Sequence, residues 1–330
     1  MESALPRARG QISGRALVRF FGWATIAVLA TFLFNDYLTY WRGWPGALGG
    51  NANAADGREW IQIGLYGVAV LVAAIVVISA IDRSLRKERE WMIRINSYLI
   101  RTVFWSVLLI GIVDFLLAFL RGEGLLVGIV GMDLAQLLKN NHVRGLYVHM
   151  SLVGVSAVIA TMTRTIGVTW LSLMIVVSEL LLVVSRFVFS YEQDYMADLV
   201  RFWFAPIFMA GCAYALRSGS HVRIDVLYAD LSVRTKGIVN ACGAVLLGMP
   251  FCWLILIVGT SGKTGVINSA LLTFEIEGLG NGLYLFYLMT VFMGVFAVTM
   301  LIEFVAMLFD GMADVWREPG GSTHETTSVQ

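Results

Sequence analysis

The stretch SGSHVRIDVLY, residues 218–228, sets His221, Arg223 and Asp225 at every second position between two long apolar runs. Such side chains serve acid–base chemistry, metal ligation or anion binding. They equally suit an amphipathic connector lying on a membrane surface. Two further acids, Asp114 and Glu179, stand inside apolar runs, where an unpaired acid at a helix centre costs about 2.5–3.5 kcal/mol to insert. An ion or proton step is one reading of these acids; a buried acid, hydrogen-bonded at a helix or subunit interface, is the other. No second acid or amide forms a relay around either, which favours the structural reading. His142 and His149 are seven residues apart, about two turns along one face of a regular helix. A haem held by two histidines needs them on opposite sides of the ring, and no second run offers a histidine at matching depth. Cys212, Cys242 and Cys252 all fall in apolar runs without CxxC spacing and read as packing residues.

The elements that must position these residues follow from composition. Of 330 residues 58% are hydrophobic and 14% charged, against roughly a quarter charged in soluble domains. The charges cluster, leaving apolar runs of about 20 residues, each long enough to cross the hydrocarbon as a helix. Backbone groups must be satisfied within the lipid, and the runs are too continuous for barrel strands. The expected fold is therefore an all-α integral membrane bundle of about eight transmembrane helices, near 16–37, 60–81, 99–120, 145–165, 168–190, 197–216, 237–260 and 283–308. With the N-terminus in the cytoplasm, about two thirds of the 24 lysines and arginines lie on that side, as the positive-inside rule requires. Both termini are then cytoplasmic. Arg7, Arg9, Arg15 and Arg19 lead into the first run, and the small-residue site at 52–54 is too far beyond it for cleavage, so an uncleaved anchor is expected. Residues 82–98 suit a cytoplasmic helix touching lipid headgroups, 121–144 an interfacial or re-entrant element outside, and the polar segment from 313 a disordered tail. A net charge of +1 and the lack of a basic, aromatic-interleaved patch point away from nucleic acid.

The second half carries a more specific pattern. The fifth run ends in VVSRFVFS, and the sixth opens with DYMADLVRFWF. GCAYALRSGSHVRIDVLYADLSVRTK then passes from a small-residue helix end through His-Val-Arg-Ile-Asp, before MPFCWLILIVG and GLGNGLYLFYLMTVFMGVFAVTMLIEFV. In this order, residues 168–310 resemble the small membrane subunit, the DctQ-like component, of tripartite ATP-independent periplasmic (TRAP) transporters. The resemblance implies three parts: a 1–167 four-helix extension, a 168–312 DctQ-like four-helix domain and a 313–330 tail. It implies a non-enzymatic scaffold subunit in a bacterial inner membrane, with no cofactor of its own. Its partners would be a large permease carrying the substrate and sodium sites, a periplasmic substrate-binding protein and membrane lipids. The cargo class so implied is an organic anion such as a carboxylate. A membrane anchor for a redox enzyme, and a self-sufficient transporter using Asp114 and Glu179, are the alternative readings.

The resemblance also gives the opening stretch a place. Plotted as a helix, Val222, Val226, Ala229 and Val233 share one face while Arg223, Asp230 and Arg234 share another, as in an amphipathic surface helix. His221 and Asp225 can meet across one turn, a pair worth only a few tenths of a kcal/mol in water. Positioning at the membrane or against the large subunit is thus expected of His221, Arg223 and Asp225. Arg186, Arg201 and Asp198 flank the outer connection between the fifth and sixth runs and Glu277 lies in the last outer loop. Arg186, Asp198 and Glu277 are further interface candidates, with local charge pairing as the simpler reading of the first two.

Overall fold

The computed structural model describes residues 5–47, 57–80, 82–164, 168–191, 194–218, 228, 230–274 and 283–320. Every regular element among them is helical. The first half comprises α1 (Leu5–Trp41), α2 (Gly57–Ser79), α3 (Leu85–Gly122), the short α4 (Leu126–Val130), α5 (Met132–Leu137) and α6 (Asn141–Val143), a π-helical turn (Arg144–His149) and α7 (Met150–Met162). The second half comprises α8 (Val168–Phe189), α9 (Asp194–Ser218), α10 (Val233–Gly243), a second π-helical turn (Ala244–Gly248), α11 (Met249–Gly259), α12 (Val266–Thr273) and α13 (Phe286–Val315). Eight helical segments among the described residues are long and apolar enough to cross a membrane. The protein is a multi-pass, all-α membrane protein.

Three boundaries differ from expectation. Residues 85–98 are not a separate surface helix but the first turns of α3, a helix of 38 residues, about 57 Å at 1.5 Å per residue. The fourth span starts at Asn141 rather than 145, so that Arg144 lies inside it. Ordered structure passes position 313: α13 continues to Val315, and the Glu318 carboxylate accepts the Leu85 N–H at 3.0 Å. An anion at that point meets the positive end of α3.

The chain divides into two compact units. One comprises Met1–Arg94, Val222–Cys252 and Leu301–Gln330; the other comprises Ile95–His221 and Trp253–Met300. In the first, α1 and α2 are joined by fully buried Gln62, whose side chain donates to Thr39 Oγ1 at 3.0 Å and accepts from the Gly46 N–H at 2.9 Å. Gly237 of α10 and Gly311 of α13 bring two backbones together there. A Cβ on Gly237 would sit 2.4 Å from the Gly311 carbonyl oxygen, so only hydrogen fits. Without a hydrophobic driving force between helices in lipid, such close backbone packing is what holds them.

In the second unit α3 is the common partner. Tyr98 and Arg101 donate to the carbonyls of Ala157 and Ala160 in α7 at 3.2 and 3.3 Å. Trp203 of α9 donates to the Val107 carbonyl at 3.2 Å, and fully buried Asn96 donates to the Thr299 carbonyl of α13 at 3.0 Å. Apolar packing around Ile100, Phe104, Phe202, Tyr287 and Phe292 fills the space between.

Candidate functional site

The densest polar cluster of the second unit surrounds Asp114, which is fully buried in α3. Its Oδ1 accepts from Arg144 Nε at 2.6 Å and lies 3.1 Å from His149 Nε2; its Oδ2 accepts the Tyr284 backbone N–H at 2.8 Å. Arg144 and His149 are themselves 2% and 1% exposed. Regular α-helical geometry would point residues five apart in different directions. Here Arg144–His149 is a π-helical turn, closed by the Met150 N–H on the Gly145 carbonyl, and the i→i+5 geometry stacks the two ends. Both side chains thereby reach one carboxylate oxygen. The same turn removes the regular seven-residue register expected between His142 and His149.

The second layer ties this cluster to the C-terminal half. His149 Nδ1 lies 2.8 Å from Tyr287 Oη. With a neutral imidazole, Nε2–H donates to Asp114 and Nδ1 accepts from the Tyr287 hydroxyl. The Arg144 guanidinium carbon lies 4.3 Å from the centre of the Tyr284 ring and that of Arg121 lies 4.8 Å from it, within cation–π range. Close packing of Phe274 holds the turn in place: a Cβ on Gly145 would come within 2.2 Å of that ring. Carboxylate, guanidinium and imidazole thus satisfy one another. A buried charge is tolerated on those terms, and the arrangement is a clasp.

A second clasp occupies the first unit. Arg19 of α1 donates to Glu88 Oε1 from Nε at 3.0 Å and Nη2 at 2.7 Å, while Trp23 donates to Oε2 at 3.0 Å. Both charged residues are buried. Two residues earlier, Arg86 pairs with Asp310 and, at 2.5 Å, with Asp314 of α13. Each unit therefore links α3 to the C-terminal part of the chain through charge-assisted contacts.

The remaining sequence candidates separate. Asp198, half-buried, pairs with the exposed Arg201 at 3.8 Å and accepts the Leu283 N–H at 3.3 Å. Arg186 is exposed at the end of α8, its guanidinium 6.0 Å from the Phe187 ring. Glu179 is exposed near the middle of α8, so no helix among the described residues buries it. His221, Arg223, Asp225 and Glu277 lie outside the described residues. Sequence reading missed Arg144. Its signal was present in the run RGLYVH, a cation and a histidine bounding an apolar segment, but a helix start placed at 145 left it in a loop.

Residues 173–311 match the family model described as tripartite ATP-independent periplasmic transporters, DctQ component. This part of the chain is DctQ-like. No curated protein and no solved structure matches the chain. The DctQ family is one of transporter subunits, not of enzymes: the small permease, which works beside a large permease and a substrate-binding protein. The DctQ-like region runs from within α8 to within α13, so α1–α7 precede it as an N-terminal extension. The Asp114 clasp and the Arg86–Asp310 pair cross that division, since Arg86, Asp114 and His149 belong to the extension while Tyr284, Tyr287 and Asp310 belong to the DctQ-like region.

Proposed function

We propose that the chain is the small permease of a TRAP-type transporter and that its extension is part of one scaffold with the DctQ-like region. The match over residues 173–311 carries the reading. The clasps support the second part: buried, hydrogen-bonded charges specify one arrangement of helices, as a scaffold requires, and Asp114 is engaged by Arg144, His149 and the Tyr284 N–H rather than open to a transported ion. Substrate and coupling-ion sites accordingly belong to the large permease. The cargo is an organic anion such as a carboxylate, taken up with sodium and delivered by a periplasmic binding protein. The membrane is the bacterial inner membrane, and both termini are cytoplasmic by the lysine and arginine distribution.

The test is a tagged chain expressed with its large permease and binding protein. The permease should co-purify with the tag, and sodium-driven uptake of a labelled organic anion should disappear when the chain is deleted. Uptake that persists without the chain, together with no co-purifying permease, would sink the proposal.

A further inference from the structure

Helix α8 presents a face that the described residues leave uncovered. Leu171 and Ser185 mark its buried side, where Ser185 lies 3.6 Å from the sulfur of Met196 in α9. Packing on that side fixes the rotation of the helix. The other side carries Val176, Leu180, Val183 and Phe187, exposed by 63, 62, 46 and 78%. Of the eight spans, this one has the smallest buried share, 11% of its most apolar window. Apolar exposure alone is what lipid accepts. Glu179 breaks the pattern: exposed beside Val176 and Val183, one turn away on either side, it has no hydrogen-bond or ion-pair partner among the described residues. It sits at the twelfth of 22 positions, about 15 Å from either end of the helix at 1.5 Å per residue, too far for its short side chain to reach the headgroups. Ionisable groups within spans face protein or water and pair with something.

We infer that the Glu179 face of α8 is the seat of a transmembrane helix of the large permease, which presents a lysine or arginine to Glu179 within the bilayer. The inference rests on the reading of the chain as a small permease. Charge complementarity selects the occupant. A second copy of this chain would enter the membrane in the same orientation, so two α8 helices related by an axis along the membrane normal would run parallel and set Glu179 against Glu179. Like charges in low dielectric repel. A lipid tail offers no donor at all. The exposed stripe of α2, with Val68, Leu71, Ile75 and Ile78, holds no such acid.

The experiment uses the full complex in native membranes. A photo-crosslinking amino acid is placed at Val183 in one variant and at Ile75 in another, with Glu179 intact in both. Adducts are identified by mass. The Val183 position should give at least about tenfold more adduct with the large permease than the Ile75 position. In a parallel set, Glu179→Lys should lower the permease recovered with the tagged chain by about tenfold, and Glu179→Gln, which keeps an acceptor, should lower it less. Adducts from Val183 with lipid only, or with a second copy of the chain, would overturn the inference. So would normal recovery with Glu179→Lys. If the wild-type chain recovers no permease, the functional reading fails along with it; if it recovers permease that crosslinks at Ile75 and not at Val183, only the α8 assignment fails.

Discussion

Asp114 and Glu179 each place a carboxylate in an apolar span, yet their surroundings differ completely. Asp114 meets Arg144, His149 and the Tyr284 N–H, all inside the chain. Glu179 stands exposed on α8 with no such partner among the described residues. The contrast shows that an intramembrane acid is not one kind of feature. The first has its countercharge within the same chain and joins the extension to the DctQ-like region. The second lacks one and so marks a surface that another chain completes. Loss of the first acts on the fold, whereas loss of the second acts on assembly.

That contrast can be broken by substitution. Arg144→Ala strands the Asp114 carboxylate in a dry interior, and should cost about 3–5 kcal/mol of stability, read as a lowered unfolding midpoint of the purified chain. The double variant Asp114→Asn with Arg144→Met removes both charges and should recover more than half of that loss, with uptake per assembled complex at the wild-type level. A double variant no more stable than Arg144→Ala would mean that the pair is not a self-contained clasp. Gly237→Ala forces a methyl group against the Gly311 carbonyl, and should cost about 1–3 kcal/mol by overpacking in the same unfolding measurement. Glu179→Gln sharpens the comparison from the other side: the isolated chain should unfold at an unchanged midpoint. A fall as large as that of Arg144→Ala would place Glu179 inside the fold and end the distinction.

The helical class and the eight spans were legible because long apolar runs admit no other structure in lipid. Asp114 stood out as an acid in need of partners through the cost of leaving it unpaired in a span. Its partners were not. Arg144 stands at a helix start where hydropathy changes gradually, and a boundary shift of four residues decides whether it is inside the span. The π-helical turn hid the rest, since regular helical spacing separates Arg144 from His149 while the i→i+5 register unites them. Tyr284 and Tyr287 could not be read as partners either, because no local pattern links Tyr284 to a carboxylate 170 positions away or Tyr287 to a histidine 138 positions away. Glu179 was expected to be buried against a helix or another subunit; the fold now separates these by showing that the helices among the described residues leave it exposed. The HVRID stretch lies outside the described residues.

The central claim is that the extension and the DctQ-like region form one scaffold joined along α3. Dividing the chain between residues 167 and 168 tests it most directly, with the two pieces, 1–167 and 168–330, expressed together and apart and each carrying its own tag. The account predicts that the second piece accumulates in membranes only when the first is present, and that the two co-purify through Arg86, Asn96, Asp114 and His149. Full accumulation of 168–330 alone, with the large permease bound at the level of the intact chain, would contradict it.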